Sequence, residues 1–284
     1  MLTQNSLRFA TLLMIATSLT LAGCGEKKGP VDPNALSGTL QLAGSSTVAP
    51  LAIEIGKRFE KKNPGVRVEV QTGGSSRGIA DARTGKVDCG MSSRGLKDSE
   101  KEGVQSFTVA MDGVCFLTHS SNPVRELSRE QLLGIYTGKI TNWNQVGGND
   151  AEITCINRAD GRSELELVTK FFGIKPVDVT ADLIAGENQQ GIKMVASDKN
   201  AITYMSVGAS EYEAKNGSPL TLLPLDGIAA SVENVRNGTF PLSRPLIYIT
   251  GLELSPLAQA FIDYSLSSDV HDLVEEFSYV PVAR

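Results

Sequence analysis

Gly38-Thr39-Leu40-Gln41-Leu42-Ala43-Gly44-Ser45-Ser46-Thr47-Val48-Ala49-Pro50-Leu51 is a strand handing over to a helix through a loop of the smallest residues. Gly38–Ala43 reads as a strand and Val48–Lys62 as a helix. In that helix Leu51, Ile55 and Phe59 share one face with Ile53 near its edge, while Glu54, Lys57, Arg58, Lys61 and Lys62 stay outside. Asn63-Pro64-Gly65 ends it.

The pattern repeats downstream. Strand-like runs at Val66–Gln71, Val87–Met91 and Phe107–Ala110 alternate with helical runs at Ser76–Arg83 and, more weakly, Asp98–Glu102. This β-α-β-α order predicts an α/β fold with a mainly parallel sheet. Val114–Thr118 is a further apolar run that continues into a crossing segment. From about Ser120 the alternation restarts, with a helix over Ser128–Tyr136 capped by Ser128, a strand over Ile153–Asn157 and a helix over Ser163–Phe172. Ile192–Ser197, Ala201–Met205, Leu220–Pro224, Val232–Arg236, Leu246–Thr250, Pro256–Leu266 and Val270–Glu276 supply the remaining candidates.

Four serine-rich segments fall at or near the carboxyl ends of predicted strands, where open parallel sheets bind their ligands: Gly44–Thr47, Gly73–Ser76, Ser92–Arg94 and Arg158–Ser163. Each is expected to precede a helix. A helix start offers unpaired backbone N–H groups and the positive end of a dipole, and serine and threonine hydroxyls add donors without bulk or charge. One such segment alone would read as a helix cap; four in one chain predict an oxyanion pocket.

The chain is acidic, with 27 basic against 32 acidic residues and a formal charge of −5. Few aromatic residues, a single Trp and no basic run argue against nucleic acid. An acidic protein can still bind an anion, because donors aimed into a dry cleft outweigh distant, screened charges. The two histidines, His119 and His271, have no ligand-spaced partner and there is no CxxC, so neither a metal nor another cofactor is expected. A hydrolase is disfavoured by the lack of a Gly-x-Ser-x-Gly elbow. Cys89, Cys115 and Cys155 lie in apolar runs and read as buried small hydrophobes with at most one disulfide. Tyr136 and Trp143 read as packing residues.

Residues 1–23 hold one cation, Arg8, no acid, and an apolar core from Leu12 to Leu21, the pattern of a secretory signal. Leu21-Ala22-Gly23-Cys24 resembles a bacterial lipobox, which would make Cys24 the lipid-bearing N-terminus of a protein exported and anchored to a bacterial membrane. The alternative is an ordinary signal with a coincidental cysteine. Residues 24–35 read as a tether rich in charge, Gly and Pro. The rest of the chain, about 250 residues, is long enough for two lobes.

Longer motifs identify a family. Asn122-Pro123-Val124, Leu127-Ser128-Arg129-Glu130-Gln131-Leu132 and Ile135-Tyr136-Thr137-Gly138-Lys139-Ile140-Thr141-Asn142-Trp143 together resemble a phosphate-binding lipoprotein of the periplasmic binding protein type II superfamily. Ala43–Leu51, Gly90–Arg94 and Pro241-Leu242-Ser243-Arg244-Pro245-Leu246 match as well. The resemblance implies a two-lobed fold with a hinged cleft: lobe I from 36–119 and 218–284, lobe II from 120–217. It implies a receptor that passes inorganic phosphate to an ABC transporter permease. Its pocket would use Ser46, Thr47, Ser75 or Ser76, Ser93, Arg158 and the turn Gly161-Arg162-Ser163, with Asp112 as the carboxylate acceptor. The competing reading of Asp112 is a turn residue or a partner for Arg94.

One position departs from the family. Relatives carry Gly-Ser-Gly-Thr where this chain has Gly161-Arg162-Ser163-Glu164. Pointing inward, Glu164 would repel an anion. As first-turn acids of a helix beginning at Ser163, Glu164 and Glu166 would instead face solvent, the expectation favoured here. The departure leaves open another tetrahedral oxyanion such as molybdate, tungstate or sulfate, and a sensor that does not transport.

Overall fold

Strand β1 (Ser37–Gly44) lies parallel to β2 (Gly65–Thr72) on one side and β3 (Cys89–Ser92) on the other, and helices α1 (Ala49–Lys62) and α2 (Ser75–Arg83) form the crossovers. The apolar stripe of α1 is seated as its spacing requires, with Leu51, Ile55 and Phe59 buried and Ile53 left at 40% exposure. Gly44, at φ +138°, ends β1 where a Cβ would stand 2.1 Å from the Met91 carbonyl oxygen, so only glycine lets this loop reach β3. At Gly78 in α2 a Cβ would likewise stand 2.6 Å from the Ala43 and Met91 carbonyl oxygens. The serine loops are thereby held side by side at one end of the sheet.

The computed structural model describes residues 35–282, of which Leu36 onward forms one compact unit. The expected signal, Cys24 and all but the last residue of the tether lie outside the described residues. Beyond α2 the chain forms β4 (Val104–His119), α3 (Arg129–Tyr136), β5 (Thr154–Arg158), α4 (Ser163–Phe172), β6 (Leu183–Ala185), α5 (Asn188–Ser197) and β7 (Ala201–Ser206). Next come α6 (Val207–Lys215), β8 (Leu220–Leu223), α7 (Val232–Arg236), β9 (Ser243–Gly251), α8 (Pro256–Ser265), α9 (His271–Glu276) and β10 (Val280–Pro281). The runs expected separately at Phe107–Ala110 and Val114–Thr118 are one 16-residue strand, β4. Its first half pairs antiparallel with β9, and its second half with β7 and β8.

The strand order is β2-β1-β3-β9-β4-β7-β5-β6. One hydrophobic core gathers Leu40, Leu51, Phe59, Tyr248 and Phe261, and another gathers Phe116, Tyr136, Trp143, Phe172 and Tyr204. This is the two-lobed α/β architecture that the family resemblance implies, with the α/β order already legible in the alternation. Tyr136 and Trp143 are core residues, each 1% exposed. All three described cysteines are buried free thiols, so the allowance for a disulfide among them is corrected. Burial pushes each thiol up, that of Cys155 to about 12, and leaves them inert.

Candidate anion-binding cleft

The loops after β1, α2's start and β3 are tied together by their own hydroxyls. Ser45 Oγ accepts from the backbone N–H groups of Thr47 and Val48, closing the turn into α1, and donates to Ser93 Oγ at 2.9 Å. Ser75 Oγ accepts from the Ser93 N–H at 3.1 Å. The third segment differs from expectation. Ser92 Oγ bridges the N–H and carbonyl of Arg94 in a turn, and a 3-10 turn at Asp98–Glu100 succeeds it where an α-helix was expected. Ser93 therefore works through its hydroxyl and not through a helix terminus.

Arg244, which the sequence reading placed in a family motif but not in the pocket, is the hub. The register of β4 and β9 sets Asp112 directly opposite Arg244. Asp112 Oδ2 accepts from Arg244 Nε at 3.1 Å and Nη2 at 2.9 Å, and Oδ1 accepts from the Gly208 N–H at the start of α6. Arg94, the alternative partner weighed for Asp112, pairs elsewhere. From its other edge Arg244 Nη1 donates to Ser163 Oγ at 3.0 Å and approaches Ser93 Oγ at 3.4 Å; those two hydroxyls lie 2.7 Å apart. Arg244 Nη2 reaches Thr47 Oγ1 at 3.3 Å. The signal for Arg244 was a cation leading the apolar strand run Leu246–Thr250.

Glu164 completes the cluster and corrects the expectation that it faces solvent. It is 2% exposed, and its Oε1 accepts from Arg244 Nη1 at 2.9 Å and from Thr47 Oγ1 at 3.0 Å. Its Oε2 stands 3.6 Å from Arg158 Nη2. Two guanidinium groups supply the physical reason: a first-turn acid gains more from paired cations in a dry site than from water. Burial works to raise the Glu164 carboxyl, but Arg244 and Arg158 outweigh it and hold it at about 2. The same carboxylates, Glu164 and Asp112, raise Arg244 against the opposing effect of burial.

Arg158 ends β5 at 1% exposure. Its Nη1 donates to the carbonyls of Ala185 and Glu187, while its Nε and Nη2 have no hydrogen-bond partner among the described residues. Burial lowers its pKa, though a guanidinium of this kind stays charged. Two buried donors on a cation, each costing about 1–3 kcal/mol if unmet, mark a place where an acceptor fits.

Other expected residues separate from this centre. Ser46 Oγ accepts from the Asn188 N–H at the start of α5. Gly161, at φ +79°, turns the chain into α4 and accepts from the Ser76 N–H. Arg162 Nη2 pairs with Glu187 Oε1 at 3.0 Å. Ser76 joins a rim cluster, donating to Glu166 Oε1 at 2.9 Å, with Arg94 and Lys97 bound to Glu166 Oε2 and Arg94 forked onto Glu100. Thr47, Ser75, Ser93, Asp112, Arg158 and Ser163 thus come together in the buried cluster, whereas Ser46, Ser76, Gly161 and Arg162 surround it. Arg244 and Glu164 were not anticipated there, and Ser45 only as part of the Gly44–Thr47 segment.

Residues 30–269 match the PBP superfamily domain. The chain is 30% identical over 287 residues to the phosphate-binding protein PstS of Bacillus subtilis, covering 95% of this chain and 92% of that one. It is 27% identical to the phosphate-binding protein PstS of Borreliella burgdorferi, over 86% of this chain and 90% of that protein. Among solved structures it superposes on a putative phosphate ABC transporter substrate-binding protein with bound phosphate from Clostridium perfringens. That match has a TM-score of 0.80 and 33% identity, and covers 87% of this chain and all of the other. An ABC-type phosphate transport receptor from Vibrio cholerae aligns with a TM-score of 0.68 and 28% identity, over 86% of this chain and all of that one.

Proposed function

The chain belongs to the PBP superfamily and, within it, to the family of PstS phosphate-binding proteins, and on that premise we propose that it is a receptor for inorganic phosphate. The observation that carries this reading is the buried Arg158, whose Nε and Nη2 are unpartnered beside Arg244, Thr47, Ser93 and Ser163. A tetrahedral oxyanion offers four acceptors to such a set, and a guanidinium fork meets two of them at once. No reacting nucleophile is assigned; the site binds and releases.

Phosphate is preferred over sulfate in this reading because carboxylates line the same cluster. A carboxylate beside an anion is tolerated when the ligand carries a proton to donate. Monohydrogen phosphate does, and sulfate does not. Asp112, whose oxygens already hold Arg244 and the Gly208 N–H, serves first to orient the guanidinium and secondly as a proton acceptor.

Membership of the family supports delivery to an ABC permease, and the Leu21-Ala22-Gly23-Cys24 motif supports export and a lipid tether on Cys24. Opening and closing of the two lobes about the crossing strands would admit the ligand. The division into lobe I, 36–119 and 218–284, and lobe II, 120–217, is carried by the family resemblance; residues 114–117, Leu220, Leu223, Val235 and Phe240 share the core around Tyr204, so the lobes meet through the crossing strands. Calorimetry with phosphate, sulfate, molybdate and tungstate, on protein stripped of endogenous ligand, tests the reading. Phosphate should release heat and raise the melting temperature. Silence with phosphate, or a stronger response to another oxyanion, would overturn it.

A further inference from the structure

The carboxylate of Glu164 touches Thr47 Oγ1 and Arg244 Nη1 and faces Arg158 Nη2, the donors that the phosphate reading assigns to the ligand. We propose that Glu164 is a tethered competitor for the ligand, and that inorganic phosphate binds by displacing its carboxylate from Arg244, Arg158 and Thr47. The inference rests on the phosphate reading above and assigns the residue that sets affinity within it.

Three observations support it. Charge is balanced within the cluster: Arg158 and Arg244 face Asp112 and Glu164, so a phosphate anion added beside an unmoved Glu164 would leave an excess of buried negative charge. Asp112 cannot readily yield, because it sits across the strand pair from Arg244 and also holds the Gly208 N–H. Glu164 is the movable member, at the first turn of α4 on a three-torsion side chain. Its fit is also imperfect. A planar carboxylate reaches Arg244 and Thr47 but stops 3.6 Å short of Arg158, whose Nε and Nη2 remain unmet. A tetrahedral ligand has the oxygens to satisfy both arginines together.

Two substitutions test this: Glu164→Gln keeps the shape and removes the charge, and Glu164→Thr removes the reach and leaves a hydroxyl. Inorganic phosphate is titrated by calorimetry into stripped wild-type and variant proteins. Both variants should bind phosphate at least tenfold more tightly than wild type and show a larger ligand-induced rise in melting temperature. Should a variant be loosened before ligand is added, phosphate should restore its near-UV circular dichroism, and failure to do so counts against the proposal. Unchanged or weaker affinity in folded variants, with wild type binding normally, overturns the proposal and leaves the phosphate reading standing. Absence of phosphate binding to wild type and variants alike overturns both.

Discussion

Two clusters join the loops of the first half of the chain to α4, and each sets arginine against paired carboxylates. At the rim, Arg94 forks onto Glu100 at 2.7 and 2.9 Å and meets Glu166 at 3.1 Å, with Lys97 adding a second cation to Glu166. At the centre, Arg244 holds Asp112 and Glu164 at 2.9 Å, but Arg158 has its carboxylate only at 3.6 Å. The rim carboxylates keep some contact with water, at 16% and 23% side-chain exposure, while those of the centre are at 1% and 3%. Both clusters balance charge. They differ in hydration and in reach: the rim carboxylates are partly hydrated and lie within 3.1 Å of Arg94, so they latch, whereas in the dry centre Arg158 has its carboxylate only at 3.6 Å, so it can bind.

The sharpest way to break that contrast is to remove a central cation. Arg244→Met should cost about 3–5 kcal/mol of stability, because Asp112 and Glu164 stay buried without their shared partner. Urea unfolding measures it, and a loss below about 1 kcal/mol would place the centre on a par with an exposed ion pair.

Acid probes the same cluster through Glu164. Its folded-state value of about 2 lies below the ordinary glutamate value of 4.5, so its contribution is fully present above pH 4.5 and is lost as pH falls toward 2. The guanidinium groups of Arg158 and Arg244 face this carboxyl, with Asp112 on the far edge of Arg244 and the Tyr204 and Tyr279 hydroxyls nearby. The lost stability is roughly 3 kcal/mol from this group. Denaturant melts of wild type and Glu164→Gln across that window should differ in slope; parallel profiles would mean that Glu164 is not held ionised by the arginines.

Arg158→Ala separates binding from folding. Phosphate affinity should fall by roughly 2–3 kcal/mol, as for a desolvated charge-assisted pair, while stability changes less because its ionic contact with Glu164 is long. Calorimetry and urea melts on one preparation report both. The smallest effect belongs to the rim: Glu166→Gln should cost about 1 kcal/mol or less, diminish further in high salt, and leave phosphate affinity within about twofold.

The helices were legible where apolar spacing was strong. Ser163–Phe172 reads to the residue because Leu165, Val168 and Phe172 are buried on one face and Gly173 comes next in a left-handed conformation. α5 begins four residues before its expected start, since Asn188-Gln189-Gln190-Gly191 offers no apolar periodicity; α6 was unread because small residues such as Gly208 and Ser210 bury its inner face. β4 was divided by Asp112-Gly113, polar or small residues that a strand interior rarely holds. Asp112 is accommodated there only because Arg244 lies opposite it, a pairing that joins residues 132 positions apart. The same separation hid the centre of the site. The serine loops carry local signals, but the burial of Glu164 depends on cations from β5 and β9 that no local spacing around residue 164 could reveal.

A crystal structure of the protein grown with inorganic phosphate tests the central claim most directly. The account predicts phosphate in the cleft with oxygens within about 3 Å of Arg158 and Arg244, Thr47 and Ser163 as further donors, and the Glu164 carboxylate withdrawn from that position. Phosphate bound elsewhere, or an unmoved Glu164 still bridging Arg244 and Thr47 at full ligand occupancy, would contradict it.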